Sequence, residues 1–176
     1  YAALSGLPTT DVQISWLISG TRGDPAVSMV AKQIDYNGTR GTDGSLTFDV
    51  NCNSTGTAPD WGVLLTAGSD THSSAGATAS VDNGAASSNG LVAYLHVVSI
   101  ASGSATVAVQ GSSDNGSSDA FANVAAFTAA SAGATERITA SGAVERYLRI
   151  NTTGTFSNAV IVVTVRRGTA QDDVSL

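Results

Sequence analysis

Few residues in this chain have side chains suited to acid–base or nucleophilic chemistry, and they are far apart in the sequence. The two histidines are His72, in a stretch rich in Ser, Gly and Thr, and His96, in the middle of a predicted strand. Because His96 follows Leu95, it lies on the opposite face of that strand, where we expect a surface position. The lone Cys52 has no neighbouring His or Lys to activate its thiol, and it cannot form an internal disulfide. These residues predict no catalytic site and no enzyme.

Two short motifs have the composition of binding sites, and neither is specific. The stretch between Asp114 and Asp119 offers carboxylate and amide oxygens, the hard ligands that Ca²⁺ prefers. It lacks the spacing and the closing Glu of an EF-hand, so a hairpin turn is the favoured interpretation, with metal binding left open. Arg22-Gly23-Asp24 matches the tripeptide that integrins bind, but the following Pro25 is typical of a turn before a strand. We therefore predict no catalytic, metal or cofactor-binding residues and no cofactor.

The charge content is low and acidic. Charged residues make up 12% of the chain and the net charge is -6, whereas a typical globular domain has ~25% charged residues. Binding a nucleic-acid backbone needs clustered cations, and the only adjacent basic pair, Arg166-Arg167, ends a predicted strand. No stretch approaches the ~20 apolar residues of a membrane-spanning helix. We expect no specific nucleic-acid binding and no membrane insertion.

The apolar residues recur with a period near two, which is typical of β-strands. In the first part of the chain this pattern predicts strands at residues 12–18, 27–34, 46–50 and 61–65, with turns at Asn37-Gly38 and Asp43-Gly44. In the second part it predicts six short strands, at residues 91–100, 105–110, 124–128, 136–140, 147–151 and 159–167. The prediction is an all-β chain with a first β unit at residues 1–68, a linker or arm at 69–90, an antiparallel β-sandwich at 91–168 and a tail at 169–176.

Five segments, most of them turns and strand ends, carry a resemblance to a known family. They are KQIDYNGTRGTDGSLTF at residues 32–48, DWGVLLTAG at 60–68, SVDNGAASSNG at 80–90, QGSSDN at 110–115 and ERYLRI at 145–150. In these segments the chain resembles the major tail (tail tube) proteins of long-tailed phages that infect actinobacteria. The resemblance covers roughly residues 11–167. The connection at 52–59 departs from the family pattern, and the opening strands are absent or compressed before Asp11. A shortened tube protein, a truncated one and a related virion part stay open.

The resemblance implies a tail-tube-type β-sandwich or barrel unit followed by a C-terminal antiparallel β-sandwich. It implies stacked rings, usually hexameric, in which each subunit contributes strands to an inner β-barrel, with the segment 69–90 reaching the next ring. The partners would be copies of the chain, other tail proteins, and DNA that passes through the lumen without specific binding. The location would be the virion tail, after synthesis in the cytoplasm of the bacterial host.

Two other functions stay open at this stage. One is a β-sandwich module that binds surface glycans, which normally requires exposed aromatic side chains. Trp16, Phe48, Phe127 and Tyr147 follow core-like patterns, which leaves Trp61 and Tyr94 as the candidate aromatic residues for a sugar platform. The other is a capsid decoration protein that binds a virion lattice without stacking on itself.

Overall fold

The computed structural model describes residues 11–168, apart from the side chains of residues 33–37, 48 and 50. Every regular element in that range is a β-strand and every pairing is antiparallel, so the all-β fold class is confirmed. The strands are β1 (Val12–Leu17), β2 (Pro25–Arg40), β3 (Leu46–Ser54), β4 (Asp60–Leu64), β5 (Asp70–His72), β6 (Gly76–Ala77), β7 (Val81–Asp82), β8 (Leu91–Ser112), β9 (Ala122–Ala126), β10 (Ala134–Ala140) and β11 (Tyr147–Arg167). The expected tail at residues 169–176 lies outside the described residues.

Strands β8 and β11 form one long ribbon that organises the rest of the molecule. They pair along nearly their whole length, from Leu91 opposite Arg167 to Ser112 opposite Tyr147. On the free side of β8 lie β10 and β9, and on the free side of β11 lie β4, β5, β6 and β7. The prediction of separate strands at 91–100 and 105–110, and at 147–151 and 159–167, is therefore wrong: each pair is one continuous strand.

The ribbon folds back on itself at two glycines. Gly103 and Gly154 have φ angles of +81° and +102°, a region that side chains with a Cβ rarely adopt. A Cβ at Gly103 would lie 2.0 Å from the carbonyl oxygen of Thr155 on the paired strand. The fold-back brings the two ends of β11 together, because the Arg167 guanidinium donates to the carbonyl oxygen of Glu145, two residues before β11 begins. Glycine in a strand is typical of such bends.

The main hydrophobic core lies between the two halves of the folded ribbon. Alternate residues of both long strands point into it, and they are fully or almost fully buried. Among them are Leu91, Leu95, Val107, Val109, Leu148, Ile150, Ile161 and Val163. Phe127 is buried in the same core, as the sequence predicted.

The segment 69–90 differs from the linker or arm that the sequence predicted. Three short strands within it, β5, β6 and β7, pair in turn with β11. Val81 is buried in the main core, and Asn83 donates to the carbonyl oxygen of Arg146 at 3.0 Å. Much of this Ser- and Gly-rich stretch thus runs along the body, and β4 from the first predicted unit joins the same sheet.

A second, smaller interior has an inverted polarity. The strand order β1-β2-β4-β11-β8-β10 curls until β1 comes into contact with β10. Ser15, Ser28 and Thr164 point inside and form a chain of hydroxyl contacts, with Oγ to Oγ and Oγ to Oγ1 distances of 2.6 Å. Ser15 Oγ lies 2.8 Å from His96 Nε2. The polar residues of β1 and β2 therefore face inward, and the apolar residues alternating with them face outward.

Candidate assembly surface

The outer face of strands β1, β2 and β4 carries an apolar row that no described part of the chain covers. Trp16 pairs with Val27 in register, and Val27 pairs with Trp61. The two indoles are 60% and 58% exposed. Together with Ile14, Met29 and Pro59, these three residues line a groove of about 290 Å³, called here the Trp groove.

The expectation that Trp16 belongs to the core is wrong, and the reason lies on its own strand. Its neighbour Ser15 contacts His96 and Ser28 in the small interior, so the alternation of a strand places Trp16 on the other side. Trp61 is exposed, as the sequence predicted.

A buried polar cluster holds β4 in place beneath Trp61. Asp60 is 4% exposed, accepts a hydrogen bond from the Tyr94 hydroxyl at 2.6 Å, and pairs with Arg166 at 3.0 Å. Burial and the Asp60 carboxylate raise the pKa of Tyr94 to about 12. The expectation of an exposed Tyr94 is therefore wrong, because its ring is 1% exposed and its hydroxyl completes the coordination of a buried carboxylate. The next residue, Gly62, allows the close approach of β4 to β11, since a Cβ there would lie 2.0 Å from the carbonyl oxygen of Val165.

Beyond Ala31, strand β2 leaves the body as a two-stranded arm with β3. From Ala31 opposite Ser54 to Arg40 opposite Leu46, β2 pairs with β3 and with no other described strand. The nine residue steps from Ala31 to Arg40 span about 30 Å at roughly 3.3 Å per residue. These two segments, residues 31–40 and 46–54, are called here the arm.

The tip of the arm is an ordered turn. The Gly41 amide donates to the carbonyl oxygen of Ser45 at 2.8 Å, and the Ser45 amide donates to the Asp43 carboxylate at 3.0 Å. Hydrogen bonds from the Ser45 hydroxyl and amide lower the pKa of Asp43. Gly44 has a φ of +87°, as expected for the Asp-Gly turn. Next to this turn, the Leu46 side chain is 60% exposed.

No family model and no curated protein matches this chain. The functional argument therefore depends on the structure and on the resemblance described above.

The residues considered for catalysis are not assembled into a site. His96 lies in the small interior and not at the expected surface, and burial lowers its pKa. His72 belongs to β5, where burial also lowers its pKa, although Asp70 lies 3.8 Å away. Across residues 11–168, no group of three or more His, Cys, Asp or Glu is placed to hold a metal ion.

The stretch from Asp114 to Asp119 is a turn closed by its own backbone. The Asp114 carboxylate accepts amide hydrogen bonds from Ser117, Ser118 and Asp119 at 2.6 to 3.2 Å. Its pKa is lowered, first of all by the bond from Ser118. The oxygens that a cation would use are already engaged by N–H donors, which favours the hairpin-turn interpretation.

The Arg22-Gly23-Asp24 tripeptide is likewise engaged within the chain. The Arg22 guanidinium donates to the carbonyl oxygen of Leu65 at 3.0 Å and to Asp70 at 3.2 Å. The carboxylate of Asp24 accepts a hydrogen bond from the Ser19 hydroxyl. Both charged side chains hold a turn against the body, which agrees with the predicted turn.

Sequence reasoning did not find the arm or the Trp groove. The alternation of residues 46–50 predicted a strand with one covered face, whereas Leu46 is exposed. A pattern of period two defines two faces of a strand and does not say which is covered. For the residues that the structure describes, no helix is long and apolar enough to cross a membrane.

Proposed function

We propose that this chain is a virion structural protein of the tail-tube type, which assembles with copies of itself into stacked, probably hexameric rings. The observation that carries the proposal is the arm. A two-stranded hairpin is at best marginally stable alone in water, and this one extends about 30 Å from the body at ~3.3 Å per residue.

The arm has the features of an element that is completed by a neighbour. Both of its outer edges present backbone groups that pair with no other described strand, and such edges are templates for pairing with another chain. Exchange of arms around a ring would satisfy those groups, and a closed ring leaves no edge free. This matches the shared inner barrel that the resemblance to tail tube proteins implies.

The charges suit a passage for DNA better than a binding site for it. Lys32 and Arg40, the basic residues of the arm, are eight positions apart, and Asp43 and Asp49 lie near the tip. Tight binding of a DNA backbone requires clustered cations that displace counterions. In the proposed tail, other tail proteins would be further partners, and DNA would pass through the lumen without specific binding.

The test is negative-stain electron microscopy of the purified chain over a concentration series, combined with light scattering for mass. We expect rings or tubes with a central hole at high concentration. A variant in which residues 34–51 are replaced by Asn-Gly would keep Gln33 opposite Cys52 as the last pair next to a two-residue turn. It should fold, as judged by circular dichroism and its melting temperature, and stay monomeric. Compact wild-type particles that never form rings would refute the proposal.

The Trp groove favours glycan binding as a second candidate function. Trp16 and Trp61 present two exposed indoles on neighbouring rows of one sheet, and aromatic faces are common platforms for sugars. The other residues that line the groove, Ile14, Val27, Met29 and Pro59, have apolar side chains, whereas a sugar also requires polar partners. Retention on a glycan array that is lost in Trp61→Ala would favour this candidate over self-assembly.

A further inference from the structure

The register of the arm places its apolar positions on the same side of the sheet as the Trp groove. Before the bulge between Gln33 and Asp35, the outer face of β2 carries the odd-numbered residues Val27 and Met29. A bulge adds one residue to a strand, so the face changes parity after it. Positions 36, 38 and 40 of β2 then fall on the outer face, opposite positions 50, 48 and 46 of β3.

The amino acids at those outer positions are mostly apolar. They are Tyr36, Gly38 and Arg40 on β2, and Val50, Phe48 and Leu46 on β3. The positions between them, such as Asp49 and Thr47 on β3, hold polar residues. The arm is therefore amphipathic by register, with its apolar side continuing the side that carries Trp16 and Trp61.

The tip of an arm cannot reach the Trp groove of its own chain. Arg40 and Val27 lie on one strand, thirteen residues apart, which is about 43 Å at roughly 3.3 Å per residue. Bringing Leu46 to its own Val27 would require breaking β2. An apolar tip and an apolar groove that the same chain keeps apart can meet only between two copies.

We propose that the Trp groove binds the arm tip of a second copy, with Leu46 between the two indoles. The side chain of Arg40, which is paired with Leu46 in register, would then lie near an indole face, an arrangement that cation–π attraction stabilises. This inference deepens the proposed function and rests on it, because it names the contact through which copies associate.

The area of this contact is in the range of specific interfaces. With two strands about 4.8 Å apart over about 30 Å, the face of the arm covers on the order of 300 Å², and docking it buries about twice that. Each copy takes part in two such contacts, once with its tip and once with its groove. In a reciprocal pair the total is about 1,200 Å², the lower end of the standard size.

Cysteine cross-linking tests the contact directly. In a Cys52→Ser background, Leu46→Cys would be combined with Met29→Cys, which lines the groove and leaves both indoles in place. Oxidation should link different copies, since the eleven residues from Met29 to Arg40 span about 36 Å within one chain at ~3.3 Å per residue. The matched control combines Leu46→Cys with Val98→Cys, because Val98 is 59% exposed and does not line the groove. Cross-linking equal to that of the control would overturn the inference.

Association measurements separate this inference from the proposed function. Leu46→Asp and Trp61→Ala should each weaken self-association at least tenfold by analytical ultracentrifugation, while Val98→Ser should stay within twofold of wild type. A mixture of Leu46→Asp and Trp61→Ala retains one intact groove and one intact tip, so it should form heterodimers. Rings that persist in both variants would overturn the inference and leave the tail-tube proposal standing. Cross-linked dimers without rings or longer ladders would support the contact and refute the tail-tube proposal.

Discussion

Removing the Tyr94 hydroxyl tests whether the buried cluster around Asp60 stabilises the body as the geometry indicates. Asp60 is 4% exposed and accepts bonds from Tyr94 at 2.6 Å and Arg166 at 3.0 Å. In Tyr94→Phe the carboxylate keeps Arg166 and loses the hydroxyl, and Arg137 loses an acceptor 3.2 Å from its Nε. A hydrogen bond to a charged group contributes about 1.5–3 kcal/mol. We expect the free energy of unfolding to fall by about 2 kcal/mol.

The assay is thermal unfolding followed by circular dichroism at pH 7, in which a loss of about 2 kcal/mol corresponds to a melting temperature roughly 4–8 °C lower for a chain of this size. The matched control is Tyr147→Phe, which removes a hydroxyl bonded to Asp82. Asp82 and its partner Arg146 are 43% and 42% exposed, and exposed pairs contribute below about 1 kcal/mol. If Tyr94→Phe costs less than about 0.5 kcal/mol, or no more than the control, the reasoning about the buried carboxylate is wrong.

Three further predictions concern pH and the bend of the ribbon. The folded pKa of Tyr94, about 12, is above its ordinary value of 10.0; its stabilising effect is therefore complete below pH 10 and disappears as the pH rises towards 12, so denaturation curves of wild type should fall more steeply there than those of Tyr94→Phe. Burial lowers the pKa of His96 below 6.5; stability is then lost as the pH falls below that value, and His96→Gln should lose less between pH 7 and 5, with equal losses contradicting the assignment. Gly103→Ala should unfold or lose more than about 3 kcal/mol, whereas Gly142→Ala should lose about 1–2 kcal/mol, since φ is positive at both glycines but only the Gly103 Cβ would meet backbone, 2.0 Å from a carbonyl oxygen; similar melting temperatures would contradict this.

The strands could be predicted from the sequence because period-two alternation is a local property. The continuity of β8 and β11 could not. Gly103 and Gly154 lie in stretches of Ser, Thr and Gly that are typical of turns. The chain instead stays paired through both glycines, because each strand supplies the other with hydrogen-bond partners across the bend. Long-range pairing of this kind leaves no mark in a short window of sequence.

The assembly surface could not be predicted because covering is a tertiary property. Alternation correctly separated Ser15 from Trp16, but an apolar residue in an alternating strand is ordinarily assigned to the core. In this fold the curled sheet encloses the hydroxyls of Ser15, Ser28 and Thr164, and the indole remains outside. Only the position of β1 over β8 and β10 decides which face is covered.

The central place of β11 also determines when a newly made chain can fold. This strand pairs with β4, β5, β6, β7 and β8, and Leu91 waits for Arg167, 76 residues later, to complete its ladder. Proteins dominated by such distant pairings fold slowly, and at ~5–20 residues per second a ribosome needs several seconds to cover that interval. Until β11 emerges, β4 has no partner on one side, so the row from Trp16 to Trp61 has no sheet to support it. A nascent chain therefore offers no formed Trp groove to its neighbours on a polysome, and recognition between copies begins only once β11 is in place.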